Sequence, residues 1–372
     1  MKTILIEDPQ SLHELCNQLI TEPLLAIDTE FFRETTYYPH LGLIQIAGPD
    51  HIACVDPLAF DARDELRRLF LNPEIIKVFH SCSQDMEVLY QYFGELPAPI
   101  FDTQIAAAML GSQDQIGYAN LVAEEFEVML DKSQTRTNWL KRPLSAKQIE
   151  YAGDDVRYLL PLHEKLNLAL QEKNREGWSQ EDCILLCDNS ERFEPDLDNC
   201  WLRVKGYFRL SDRQLAVCRS VARWRELQAM DKDLSRRRIM SDELIIKIAA
   251  TQTVAGKLSG LDSYTARLGC AEVDTLTQAI ETGLQIPESE WPVINRQKPS
   301  AEEKQQLSHL LELVQHEADA LSIQPSVLCT RKEVEKLMHG AREGKLFTGW
   351  RFDSIGKQLL TELEDAECAP SP

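Results

Sequence analysis

The sequence predicts an α/β domain followed by two all-helical units. Three observations lead there. Over the first hundred residues, apolar stretches of period two alternate with stretches of helical period. Beyond residue 208 no convincing strand pattern is found. Finally, Gln285–Pro299 is Pro-rich and polar, and it reads as a linker between two helical stretches. A length of 372 residues fits two or three domains.

The elements follow in order. KTILIE (2–7) reads as a strand, and PQSLHELCNQLIT (9–21) as a helix with Leu12, Leu15, Cys16 and Leu19 on one face. LLAIDTEF (24–31) is a buried strand that gains carboxylates at its end. LGLIQIA (41–47) and HIACVD (51–56) are strands joined by the turn residues Gly48, Pro49 and Asp50. DARDELRRLFLN (61–72) is a helix, IIKVFH (75–80) a strand and QDMEVLYQYF (84–93) a helix. From about residue 103 the pattern is helical. Residues 130–143 (LDKSQTRTNWLKRP) interrupt it as a polar, basic loop, and Ser145 is the candidate N-cap of the helical stretch 145–172. The acidic, non-periodic segment 186–200 is the expected boundary.

Further on, Leu215, Cys218, Val221, Ala222, Trp224 and Arg225 fall on one long helix, and Ser241 precedes another. Ser300 with Glu303, and Thr330 with Glu333, have capping-box spacing ahead of apolar helical patterns. Two stretches, LIIKIAATQTVAGKLSG and VEKLMHGAREGKLFTG, share an apolar helix leading to Gly-Lys-Leu and a further Gly. Either distant duplication or convergence on a helix–turn–helix pattern accounts for that likeness.

Composition is that of an ordinary globular protein, with 43% apolar and 27% charged residues, which excludes disordered, collagenous and coiled-coil classes. The formal net charge of −20 argues against a nucleic-acid partner until its distribution is read. Residues 1–195 carry 16 basic and 33 acidic residues, a net of −17, and the remainder 24 and 27, a net of −3. Residues 203–238 hold eleven basic against four acidic residues, and 132–147 hold five basic residues and no acid. The N-terminal apolar run is too short for a signal-peptide core, and no stretch approaches a membrane span. The ten cysteines form no CxxC or zinc pattern. A cytoplasmic, reducing compartment is expected, and a monomer with no obligatory protein partner.

Three constellations carry chemistry. Asp28 and Glu30 are two apart on a strand, so they project from one face. Side by side at the end of a buried strand they repel and are costly to desolvate, and a hard divalent cation removes both problems. A strand end reaching solvent accounts for the pair equally well. Tyr151 and Asp155 are four apart on a helix and share a face, with Asp154 turned away. Asp85 opens a helix directly after a strand, where an Asp is by itself an ordinary cap.

In this order the motifs resemble the DEDD exonucleases, in the subgroup whose last motif carries Tyr. The residues are AIDTEF (26–31), FHSCSQD (79–85) and YAGDD (151–155), with FDTQIAAAMLG (101–111) and WLKRPL (139–144) between them. ARWRELQAMDKDLSRRRIMSDELIIKIA (222–249) resembles an HRDC domain, a helical nucleic-acid-binding module, and FTGWRFDSIGKQLL (347–360) a more diverged copy. The resemblance implies an exonuclease domain over 1–195 with a ribonuclease H-like fold: a mixed five-stranded sheet and flanking helices. Two all-α HRDC-like domains would follow at 208–288 and 295–372.

The activity implied is hydrolysis of RNA from the 3′ end, releasing nucleoside 5′-monophosphates, chiefly from tRNA precursors. Asp28, Glu30, Asp85 and Asp155 would hold two divalent cations, Mg²⁺ or Mn²⁺, since the donors are all oxygens. Tyr151 would position the attacking water. RNA contacts are expected from Lys132, Arg136, Lys141 and Arg142 in the basic loop, and from Arg219, Arg223, Arg225 and Arg236–Arg238 beyond it. Phe31 is placed to stack on a base, or in the core, and His80 to touch substrate, or to be a satisfied core histidine. The motifs do not separate RNA from DNA as the substrate. A non-catalytic RNA adaptor would lack a carboxylate, and none is missing.

Overall fold

The computed structural model describes residues 1–131, 133–134, 137–252, 268–296 and 298–368. The chain forms two compact units. One holds Met1–Phe31, Leu41–Ser190 and the chain from Pro299 on; the other holds Phe32–His40 and Glu191–Lys298.

The first unit is built on strands β1 (Thr3–Ile6), β2 (Leu24–Phe32), β3 (His40–Ala47), β4 (Ile52–Val55), β5 (Ile76–Phe79) and β6 (Ile100–Asp102), in the order β1-β4-β3-β2-β5-β6. The sheet is mixed: β1 with β4, β2 with β5 and β5 with β6 are parallel, and β3 with β4 is antiparallel. Five strands stand where the sequence pattern places them. The sixth adds three edge residues, too few to show a period. The helices are α1 (Pro9–Leu19), α2 (Arg63–Phe70), α3 (Ser83–Phe93), α4 (Thr103–Leu110), α5 (Tyr118–Phe126), α6 (Ala146–Arg157), α7 (Leu159–Glu172) and α8 (Glu176–Cys187). Leu12, Leu15, Cys16 and Leu19 are indeed the buried face of α1, which Asp8 caps through the Ser11 amide. The stretch 145–172 divides at Tyr158 into α6 and α7, and Ser145 opens α6 with a capping box to Gln148.

Helix α6 lies against β1 and β4, and its approach depends on Gly153. A Cβ there would stand 2.0 Å from the Thr3 hydroxyl and 2.9 Å from the Thr3 Cβ, inside contact distance. Thr3 is buried and β-branched, so it has little room to move. Gly153→Ala should therefore cost about 1–3 kcal/mol of stability by overpacking. Urea unfolding checks this, and an unchanged midpoint would mean that the helix shifts freely.

The second unit centres on α9 (Asp212–Asp231), followed by α10 (Arg236–Ile239), α11 (Asp242–Thr251) and α12 (Cys270–Gln285). Leu215, Cys218, Val221, Trp224, Ile245, Ile248, Leu276 and Ile280 form its core. Ser241 caps α11, the helix it was expected to precede. The loop Phe32–His40, which continues the strand β2, is fastened inside this unit. Tyr37 donates its hydroxyl to buried Glu226 at 2.6 Å, and Asp233 accepts the amides of Tyr37 and Tyr38 at 3.0 Å.

The C-terminal helices are α13 (Ala301–Leu321), α14 (Pro325–Leu328), α15 (Arg331–Met338), α16 (Gly349–Arg351) and α17 (Lys357–Cys368). Both expected capping boxes, Ser300/Glu303 and Thr330/Glu333, are formed. Leu307, Leu310, Val314 and Ala318 of α13 share one apolar core with Ala106, Ala107, Leu162 and Leu166 of the α/β fold. The first of the two Gly-Lys-Leu segments, residues 256–258, lies outside the described residues. Among the described residues no helix is long and apolar enough to cross a membrane.

Candidate active site

Strand β2 pairs with β5 from Leu24 to Ala26, so Asp28 and Glu30 lie in the part of β2 that runs on past its last residue paired with β5. β5 ends at Phe79, and α3 starts at Ser83 with Asp85 in its first turn. Both elements thus deliver carboxylates at the carboxyl ends of adjacent parallel strands, where open α/β sheets place their sites. Helix α6 supplies the rest from across the sheet. Carboxylate oxygens of Asp28, Glu30 and Asp155 all lie within 4.8 Å of one another. Asp85 stands beside this group: its carboxylate accepts the Thr29 hydroxyl at 2.5 Å and the backbone amides of Thr29 and Asp85.

Crowding partly desolvated carboxylates is expensive, and their proton affinities record it. Burial, then the charges of Asp85, Asp155 and Glu30, drives Asp28 far above the ordinary carboxylate range. Burial, with Asp155 and Asp85, pushes Glu30 up to about 9. Burial and Asp154 raise Asp155 to about 7, opposed by the Tyr151 hydroxyl, which donates to it. Burial raises Asp85 to about 6, against the hydrogen bond from Thr29. Asp154 itself is turned away, with its carboxylate on Arg157 at 2.6 Å. Cys54 lies near enough to the cluster that burial and these carboxylates hold it as a neutral thiol.

Three supports went unread in the sequence. Asp102 caps α4 through the amides of Gln104 and Ile105, and it also accepts the amides of Ser81 and Cys82 at 3.0 and 2.8 Å. It therefore fixes the turn that launches α3 and Asp85. Ser81 needs that help, having a left-handed φ of 61°. The Asp-Thr pair ahead of an apolar helix was the available signal. The second support is Thr29, which ties β2 to Asp85. The third is Arg142. Its guanidinium forks onto buried Asp56 at 2.5 and 2.7 Å and donates to the carbonyls of Gly42 and Trp139 at 2.6 and 2.7 Å. The loop is thereby pressed onto β3, so closely that a Cβ on Gly42 would sit 2.8 Å from the Trp139 carbonyl oxygen. Trp139 in turn lies 6.1 Å from the Tyr151 ring, centroid to centroid.

Several expected RNA contacts are consumed by the fold. Arg142 is the clamp just described. The ring nitrogens of His80 lie 2.9 Å from the Thr103 hydroxyl and 2.9 Å from the Ile116 carbonyl, so both have partners within the fold. Arg225 is buried on Asp242 at 2.6 Å, and Arg236 holds Glu226 and stacks on Tyr37. Arg223 pairs with Asp198 at 2.9 Å on the surface, and Arg219 donates to the Glu290 carbonyl at 3.4 Å. Lys141, Arg237 and Arg238 are exposed, and Phe31 is half-buried. Lys132 and Arg136 lie outside the described residues.

The 3'-5' exonuclease family pattern matches residues 3–171. Ribonuclease D of Pseudomonas paraeruginosa is 35% identical over 371 residues, which cover 97% of this chain and 97% of that one. The chain belongs to the ribonuclease D family. Ribonuclease D of Acidiphilium cryptum is 36% identical, over 96% of this chain and 92% of its own. The crystal structure of Escherichia coli RNase D, described as an exoribonuclease involved in structured RNA processing, matches with a TM-score of 0.86. That match has 30% identity and covers 98% of this chain and 99% of the other. Membership of the family makes the chain a 3′-to-5′ exoribonuclease. The exonuclease family uses divalent metal ions, and the donor set here fits them: the clustered ligand atoms are all carboxylate oxygens, the choice of hard cations.

Proposed function

We propose that this exoribonuclease trims the 3′ extensions of tRNA precursors and other small structured RNAs, releasing nucleoside 5′-monophosphates. The meeting of Asp28, Glu30 and Asp155 within 4.8 Å, from two separate elements, carries the reading. Asp85 completes the set from a third element. Bound between these four carboxylates, two Mg²⁺ or Mn²⁺ ions would stabilise the charge gathering on the attacking and leaving oxygens. The protein's own part is placement. Thr29 and the α3 amides orient Asp85, and Tyr151 is held by its bond to Asp155 and by the wall of Trp139. Its phenol orients the attacking water and restrains it in line with the scissile bond.

Replacing Tyr151 with Phe keeps that wall and removes the hydroxyl. Turnover should fall about 100-fold, with little change in divalent-ion affinity. Unchanged single-turnover rates would reject the role.

In this reading residues 1–195 are the exonuclease domain, and 208–288 and 295–372 are HRDC-like modules. A monomer in the cytoplasm fits the cysteines, seven of which are buried among the described residues. The test is a 5′-labelled tRNA precursor with a short 3′ tail beside a single-stranded DNA. A ladder shrinking from the RNA 3′ end, stopping near the structured body, supports the proposal. Equal degradation of DNA would replace it with a sugar-blind exonuclease.

A further inference from the structure

We infer that residues 202–213 of the second unit form a stacking platform for single-stranded RNA, separate from the nuclease site. This rests on the RNA substrate argued above. From Asn199 to Ser211 the sequence NCWLRVKGYFRLS carries no acid, in a chain with sixty acidic residues. Two short 3₁₀ turns, Cys200–Arg203 and Tyr207–Arg209, sort these residues by face. Cys200, Trp201, Val204 and Leu210 point into the core. Leu202, Arg203, Lys205, Phe208 and Arg209 are exposed, and Arg213 follows on α9.

A core explains the inward set, but nothing in the fold explains the outward one. Phe208 is 57% exposed, an unusual setting for that side chain. Its ring is flanked by the Arg209 guanidinium at 5.5 Å and lies edge-on to Tyr207 at 6.2 Å. Among the described residues none of Arg203, Lys205, Arg209 and Arg213 is held in a salt bridge by its side chain. Asp196 meets Arg203 only at electrostatic range, and Asp212, the acid next to Arg213, is neutralised by Arg296 at 2.6 Å. The contrast with Arg225 and Arg236, both consumed by internal carboxylates, is direct. An exposed aromatic face among unpaired cations is what a strand of bases and phosphates requires. Every base offers a π-face to stack, and the phosphates supply the missing counter-charge.

The test uses the full-length chain. Affinity for a single-stranded RNA of about 20 nucleotides, longer than one stacking groove holds, is read by fluorescence anisotropy in EDTA. Cleavage of an RNA of about four nucleotides, with Mg²⁺ present, reports the nuclease site separately. Phe208→Ala should weaken the long RNA roughly tenfold. Arg203→Gln/Arg209→Gln should also flatten the salt dependence, by about 0.7 in slope for each phosphate no longer neutralised. Short-RNA cleavage should persist in both. Unchanged long-RNA affinity in both variants overturns the platform and leaves the surface to a protein partner. If short-RNA cleavage falls in parallel, Phe208→Trp, which restores a ring, decides: tight binding supports the platform and weak binding overturns it. Failure of the wild-type chain to cleave the short RNA would instead sink the nuclease reading.

Discussion

Asp28→Asn should cut exonuclease activity by about 10³-fold and, in EDTA, raise the melting temperature. The two effects share one cause. Asp28 is half-buried beside Asp85, Asp155 and Glu30, and desolvation with these charges drives its proton affinity far up. The folded, metal-free chain therefore bears a cost there, either repulsion between ionised carboxylates or the uptake of protons that avoids it, and cations relieve both. An amide of the same shape is neutral without a proton and spares that cost. A rise of about 2–4 °C corresponds to about 1 kcal/mol in a domain of this size. The loss of rate is on the scale of removing one group that stabilises transition-state charge. A variant with both lower activity and lower stability would contradict this account.

The pH dependence follows with its sign. Asp85, Asp155 and Glu30 hold their protons to about 6, 7 and 9 in the folded chain, whereas unfolded carboxyls release theirs at 3.8–4.5. The folded state thus binds more protons, and stability declines as pH rises over that window. The contribution of these groups is fully present below about pH 4 and lost by about 9. Divalent ions displace the same protons, so the stabilisation they give should widen from about pH 6 to 9. Thermal melts with EDTA or Mg²⁺ across this range measure it. A Mg²⁺ effect independent of pH would place the ions elsewhere.

Arg351→Ala should cost about 3–5 kcal/mol, because it leaves buried Asp182 with only the distant Lys345 ammonium at 3.8 Å. Arg351 meets Asp182 of α8 through two parallel bonds at 2.5 and 2.8 Å and donates to the Val327 carbonyl at 2.8 Å. Both partners are less than a tenth exposed. Beside them Trp350 stacks flat on Trp178, with centroids 4.3 Å apart and planes 7° apart. Arg175 and Arg351 lie against the two indoles at 5.0 and 4.3 Å. Arg175 also ties the ends of α4 and α13, through the carbonyls of Met109 and Leu321 at 2.6 Å each. The C-terminal helices thereby pack on the α/β fold within one compact unit. Removing the chain from Pro299 on would uncover the core that Leu307, Leu310 and Val314 share with α4 and α7. Urea unfolding of Arg351→Ala, beside Arg351→Met/Asp182→Leu, measures the effect. The double variant should recover much of the loss, since a buried ion pair is replaceable by apolar packing. A loss below about 1 kcal/mol in the single variant would mean that the pair is solvated.

What was legible in the sequence was short-range. Asp28 with Glu30 obeys the strand period, Tyr151 with Asp155 the helix period, and Ser145, Ser241, Ser300 and Thr330 announce their helices within four residues. The unread features join distant segments. Nothing near Arg142 names Asp56 as its partner, and nothing near Trp350 names Trp178. Arg225 and Arg236 read as a basic track because charge is visible in a sequence and its internal neutralisation by Asp242 and Glu226 is not. For His80, likewise, nothing nearby in the sequence names Thr103 and Ile116, the partners of its two ring nitrogens.

The most direct test of the central claim is the number of ions the chain binds. Calorimetric titration with Mn²⁺ at about pH 8 should find two ions per wild-type chain and fewer in Asp155→Asn. Titration curves of the two proteins that coincide would contradict a metal site built from Asp28, Glu30, Asp85 and Asp155.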